Sequence, residues 1–264
     1  MILYGRNPVH EALRGRRAHA IREICATATA AHEPWLDGVR LKVCSAEEIE
    51  RRCGSPAHQG ICAEAGGYPY AGADELLTAE SPLIVALDQV QDPQNLGSIC
   101  RTAECAGVTG VVIPERRSAE VTPAVCKASA GAVEHVRIAR VRNIADFLSD
   151  ARRAGCWSYG ASAQEGGVVE RSEAGHEKPA PAAEAGHTGA TPTVSYTSPD
   201  YSGGVVLVLG SEGSGLRPRV AASCDQLVSL PLRGRISSLG VAAAAAALLY
   251  GILQDREKGL DRVP

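Results

Sequence analysis

Three short stretches of this 264-residue chain carry side chains that packing alone does not ask for. In "NLGSICRTA", Asn95 to Ala103, a charged Arg101 stands in the first turns of a helix expected to start near Asn95. Helical side chains lean toward the N-terminus, so Arg101 is expected to lie over Gly97, whose missing Cβ leaves room for a guanidinium. Asn95 as a cap, unpaired backbone N–H groups and the positive end of the helix dipole make that start a place for a phosphate. An exposed arginine paired with Glu104 or Asp92 accounts for the same residues without any function.

The second stretch, "LVLGSEGSGL", sets Gly210, Gly213 and Gly215 after a strand. Its spacing is GxxGxG rather than the dinucleotide-binding GxGxxG, and Leu216 stands where a Walker lysine would be, which disfavours dehydrogenase and kinase chemistry. Glu212, among glycines that let a ligand approach backbone, is a candidate to orient a polar group; a solvated turn is the plainer alternative. The third stretch, "LVSLPLRGRISSLGVAAAAAALLYG", closes a strand at Leu230 and Leu232, turns at Gly234, and offers Ser237 or Ser238 to cap a helix expected from Leu239.

These residues need a scaffold, and hydrophobic patterning supplies one. Before Gly66, short segments read helix, strand, strand, helix, strand, as in "NPVHEALRG", "IREICAT", "VRLKVC", "SAEEIERRC" with Ser45 as cap, and "QGICAEA". This predicts a small α/β domain over residues 1–68. "GGYPYAGADELLTAESP" predicts a linker at 69–82. From Leu83 strands alternate with helices at 96–106, 122–130 and 144–154, the signature of a mostly parallel sheet covered on both faces, over 83–264. Residues 165–203, rich in Gly, Pro, Ala, Thr and Glu, read as a disordered insertion.

Composition narrows the function class. The hydrophobic fraction of 45% supports real cores, and the net charge of −3 argues against nucleic-acid binding by bulk attraction. Gln164 to Gly204 alone carries −4, however, which leaves +1 elsewhere. Arginines gather there at Arg14, Arg16 and Arg17, at Arg116 and Arg117, from Arg137 to Arg142, and at Arg217, Arg219, Arg233 and Arg235. They are candidate basic patches. Nine cysteines without a CxxC pair predict free thiols in a reducing cytoplasm, with Cys100 a small buried hydrophobe. The histidines lack metal-ligand spacing, and only His58 in "HQGI" lies in an apparent motif. No signal peptide is read at the start, and Leu239 to Leu253 is too short and alanine-rich to span a membrane.

"NxGxxxRTA", "LGSEGxGL" and "LPLxGxxSSL", in this order, resemble the three motifs of the SpoU (TrmH-type) RNA ribose 2′-O-methyltransferases of the SPOUT superfamily. The N-terminal "YGRNPVHEAL" and "HQGICAEA" are similar to the RNA-binding domain of the subgroup that methylates a guanosine of 23S ribosomal RNA. The resemblance implies an α/β fold whose C-terminal parallel sheet is threaded as a deep trefoil knot, a homodimer, and S-adenosylmethionine as cofactor. Carried over by motif position, the cofactor contacts are Gly210, Leu230 and Leu239, with Leu209, Gly213 and Leu232. Arg101 would stabilise the developing 2′-alkoxide, Asn95 would hold Arg101 or the ribose, Glu212 would position the nucleotide or Arg101, and Ser238 would bond near the reacting oxygen. The chain departs from the family where Gly240 and Ala242 replace the usual Asn and Ser of the third motif. That keeps a second reading open, an inert paralogue that still docks RNA; transfer RNA is a further substrate candidate.

Overall fold

The computed structural model describes residues 1–162, 193–236 and 238–260. The chain divides into two compact units, the first made of Met1–Tyr70, Asp92–Glu104 and Ala119–Arg137, the second of Ala71–Gln91, Cys105–Ser118 and Ile138–Pro264. Segments 92–104 and 119–137 thus pack with the N-terminal residues, a grouping that motif spacing did not suggest.

The first unit holds a four-stranded sheet of order β1-β4-β2-β3, with β1 Ile2–Tyr4, β2 Ile21–Ala26, β3 Lys42–Val43 and β4 Ile61–Ala65. Helix α1 spans Arg6–Arg14 and α2 Ala46–Cys53. Ser45 caps α2 as expected, its hydroxyl accepting from the Glu48 N–H at 3.2 Å. Later segments of this unit form most of α4, Pro93–Cys105, and all of α5, Pro123–Ala128. Arg17 and Glu134, each 1% exposed, make a buried pair in which Arg17 Nε donates to Glu134 Oε2 at 2.8 Å. The Arg17 guanidinium also lies 5.6 Å from the Tyr68 ring centre. Arg17 is therefore internal, not part of a basic patch.

The second unit opens with α3, Ala73–Leu76, inside the stretch expected to be a linker. Leu76 is fully buried there, an anchor that the surrounding Gly and Pro concealed. A seven-stranded sheet of order β7-β6-β5-β10-β8-β11-β9 follows, every neighbouring pair parallel. Its strands are β5 Leu83–Asp88, β6 Gly110–Pro114, β7 Ile138–Val141, β8 Trp157–Ser162, β9 Thr193–Ser195, β10 Val205–Gly210 and β11 Gln226–Ser229. The central strands "LIVALD" and "VVLVLG" are apolar almost throughout because both faces are covered. Helices α6 Ile144–Arg153, α7 Pro218–Ser223 and α8 Val241–Leu260 complete the unit. Ile84, Val206 and Val208 of the sheet share one core with Ile144, Phe147 and Leu148 of α6.

Part of the expected insertion, 165–192, lies outside the described residues. Its end does not fit the expectation: Thr193–Ser195 is an edge strand on β11, and Tyr196 packs so closely on α8 that a Cβ at Gly251 would sit 2.8 Å from its ring. Two β-branched residues and an aromatic give that short run β character within a polar, small-residue context. No helix among the described residues is long and apolar enough to cross a membrane.

Candidate functional site

β10 ends at Gly210, in register beside Asp88 at the end of β5. Beyond it the chain folds back as a hairpin: Ser211 N–H donates to Gly215 O at 3.1 Å, and Gly215 N–H returns a bond to Ser211 O at 3.0 Å. Gly213 and Gly215 take φ of +83° and +64°, the left-handed region that favours glycine. Gly210 is required for a different reason. A Cβ there would lie 2.1 Å from the Gly215 carbonyl carbon, so the hairpin closes against bare backbone.

Past the hairpin, Asp88 takes hold of the chain again. Its fully buried carboxylate accepts from Arg217 N–H at 2.9 Å through Oδ2 and from Arg217 Nε at 2.8 Å through Oδ1, with Nη2 2.6 Å from the same oxygen. Arg217 therefore leaves the list of candidate basic-patch residues. Sequence reading missed this pair; the available signal was a lone charge ending the otherwise apolar "LIVALD".

The hairpin forms one wall of a cavity of about 450 Å³ whose other walls come from β8, β11, the loop after β11 and the start of α8. Leu209, Gly210, Gly213, Leu230, Leu232 and Leu239, the six expected cofactor contacts, all line it, together with Glu212 and Ser238. Ala161, Ser162, Val228, Ala244 and Leu248 were not foreseen. A few polar groups in an apolar lining, with a volume inside the roughly 300–1,000 Å³ of small-molecule sites, describe a pocket built to orient one organic ligand. Backbone at Gly213, Gly215 and Gly240 faces open space; a Cβ on Gly240 would meet only Glu212 Oε1, at 3.9 Å. That leaves room for a ligand to approach main-chain groups.

The loop corrects one expectation. Helix α8 starts at Val241, not Leu239, because Gly240 at φ +77° breaks the helical path. Ser238 Oγ accepts from Gly240 N–H at 3.2 Å, a turn preceding the helix rather than its cap; Ser237 lies outside the described residues.

Asn95 and Arg101 lie on α4, in the first unit. The cap of α4 is Asp92, not Asn95: Pro93 sets the first helical φ, and Asp92 Oδ1 accepts from Gln94 N–H at 2.9 Å. Asn95 Nδ2 donates to Asp92 Oδ2 at 3.3 Å. Gly97 does not make room for Arg101. Its absent Cβ would fall 2.4 Å from Ala128 Cβ, so glycine lets α4 meet the end of α5. Arg101 is exposed, with no ion pair among the described residues. Cys100 is fully buried, and burial pushes its thiol up to about 12, which fits a small apolar side chain rather than a nucleophile. His58 is also buried, its Nδ1 accepting from Gly60 N–H at 3.0 Å within a turn.

Comparison with known proteins agrees with this architecture. Residues 82–250 match the SpoU rRNA Methylase family, and residues 2–71 match a family described as RNA 2′-O ribose methyltransferase substrate binding. The Bacillus subtilis (strain 168) protein YacO, named for the TrmH family of tRNA/rRNA methyltransferases, is 36% identical over 75% of this chain and 71% of its own. A solved structure from Porphyromonas gingivalis, titled as an RNA methyltransferase of the TrmH family, superposes with a TM-score of 0.67 at 27% identity, covering 95% of this chain and 88% of that one. The SpoU methyltransferase AviRb from Streptomyces viridochromogenes, solved with AdoMet, gives 0.75 at 22% identity, covering 98% and 91%. With its family match extending over more than half its length, the chain belongs to the SpoU rRNA methylase family.

Proposed function

We propose that this protein transfers a methyl group from S-adenosylmethionine to a ribose 2′-hydroxyl of structured RNA, with a guanosine of 23S ribosomal RNA as the substrate of choice. The observation that carries this is one cavity that gathers eight of the candidate site residues, from the glycine stretch and the third motif, in a single lining. AdoMet bound in the AviRb structure supports the choice of donor. When bound, S-adenosylmethionine supplies an electrophilic methyl on a cationic sulfonium. Leu209, Leu230, Leu232 and Leu239 provide apolar contact, Gly210 and Gly213 provide backbone, and Glu212 provides the negative charge that suits a cationic ligand.

On the acceptor side, Arg101 stabilises the alkoxide that develops as the 2′-hydroxyl loses its proton. Arginine holds its own proton firmly, so an RNA phosphate or water accepts the one from the ribose. Asn95 holds Arg101 or the ribose, Glu212 also positions the nucleotide, and Ser238 bonds near the reacting oxygen. Alignment of oxygen, methyl carbon and sulfur is the main contribution of the fold. We assign RNA docking to residues 1–68, with 69–82 as connection, and transfer to 83–264, in a knotted, homodimeric, cytoplasmic protein.

The test is incubation with unmodified ribosomal RNA and with transfer RNA in the presence of methyl-labelled S-adenosylmethionine, followed by mapping of the label. Label on a guanosine 2′-oxygen of 23S RNA, lost with Arg101→Ala, is the expected result. RNA binding without transfer would instead favour the inert paralogue that Gly240 keeps in view.

A further inference from the structure

We infer that Asp88 is a positioning residue for the methyl-donor cavity, acting through Arg217 to fix the far end of the glycine hairpin; this rests on the donor-site assignment above. The hairpin segment leaves the sheet at Gly210, beside Asp88, and its exit at Arg217 is bonded to that same residue. Both ends of the loop bearing Ser211, Glu212, Gly213 and Gly215 are thereby tied to one point at the end of β5. Each of these four residues lines the cavity.

The chemistry of the pair goes beyond what turning the chain requires. A backbone acceptor at this place would hold the Arg217 N–H. The carboxylate instead binds that N–H through one oxygen and the guanidinium through the other, so the main chain and side chain of Arg217 are fixed together. Asp88 is fully buried while the Arg217 side chain remains 41% exposed, so the clasp is anchored in the sheet and holds the loop from within. Leu216, the residue between hairpin and clasp, packs on the core that Val206 and Val208 share with α6. A loop held in this way meets its ligand already shaped, and the ordering cost falls on folding rather than on binding.

Hydrogen exchange in the ligand-free full chain and the Kd for S-adenosylmethionine separate this role from general support of the fold. With Asp88→Asn, which keeps an acceptor for the Arg217 N–H but removes the charge, amides of 211–217 should exchange about tenfold faster and the Kd should rise about tenfold, while β5 and β10 keep their protection. Arg217→Lys, which retains the charge and the backbone donor, should lose less affinity than Asp88→Asn. Unchanged exchange in 211–217, or acceleration spread through β5 and β10, overturns the inference. If Asp88→Asn does not fold, Arg217→Gln carries the same expectation, since the backbone bond to Asp88 survives and the side-chain amide can still donate to the buried carboxylate while the cationic clasp is lost. A wild-type chain that binds no S-adenosylmethionine refutes the donor assignment; the exchange data still decide the positioning of the loop.

Discussion

Replacing Gly210 with alanine puts the account of the cavity under direct strain. The new methyl carbon would lie 2.1 Å from Gly215 C, 2.3 Å from its oxygen and 2.3 Å from Leu216 N, all backbone atoms. Ordinary carbon contact needs about 3.5 Å, so the hairpin must retreat by about 1.4 Å or β10 must shift. The two hairpin bonds and the Arg217 clasp oppose the first, and the parallel pairing of β10 with β5 and β8 opposes the second. Overpacking of this kind costs about 1–3 kcal/mol. If the hairpin yields, roughly 2 kcal/mol is lost from donor binding, which is roughly thirtyfold in Kd. Urea unfolding and calorimetric titration with S-adenosylmethionine measure the two parts. Gly107→Ala is the control: its φ of +64° imposes left-handed strain of about 1 kcal/mol, but no atom lies within 4 Å of the new methyl and donor affinity should stay unchanged. Gly210→Ala with wild-type stability and wild-type Kd would refute the close approach of the hairpin to Gly210.

Glu134→Gln leaves Arg17 charged and buried without its counter-ion, and should cost about 3–5 kcal/mol in urea unfolding, whereas the double change Arg17→Met with Glu134→Leu should be nearly neutral. A single-variant loss below about 1 kcal/mol contradicts the pair's burial. Burial raises Cys62 and Cys126 to about 11 and Cys25, Cys100 and Cys224 to about 12, from an ordinary 9.0. For thiols raised in the folded state, the stability is fully present below pH 9 and is lost as pH climbs toward 12, so the urea midpoint should fall across that window. Exposed Cys105 should react first with a thiol reagent in the native protein, and rapid native labelling of Cys100 would contradict its burial. Gly240→Asn should fold normally, because asparagine tolerates φ +77° and its Cβ meets only Glu212 Oε1 at 3.9 Å. By supplying the amide usual in the third motif it should speed transfer by up to about tenfold, one added hydrogen bond in magnitude; unchanged or slower single-turnover transfer would deny Gly240 that deficit.

The glycine turn and the covered central strands were legible because their causes are local. Gly213 needs its positive φ whatever the rest of the chain does, and "VVLVLG" announces a covered strand by composition alone. Reasoning from neighbours failed where the cause lies far along the chain. Gly97 looked like space for Arg101, yet its partner is Ala128 on another helix, and no pattern around Gly97 encodes that approach. Arg217 looked like part of a basic cluster until Asp88 reached it from a strand much earlier in the sequence. Asn95 reads as the cap from its residue type, yet Pro93 already favours a start directly after Asp92. β9 escaped notice because three residues in a small, polar stretch carry too little periodicity to read.

A crystal structure of the full chain grown with S-adenosylmethionine tests the central claim most directly. The account predicts density for the donor against Gly210, Leu230 and Leu239, inside the cavity bounded by the glycine hairpin and the loop before α8. Donor density elsewhere, with that cavity filled only by water at saturating ligand, would contradict it.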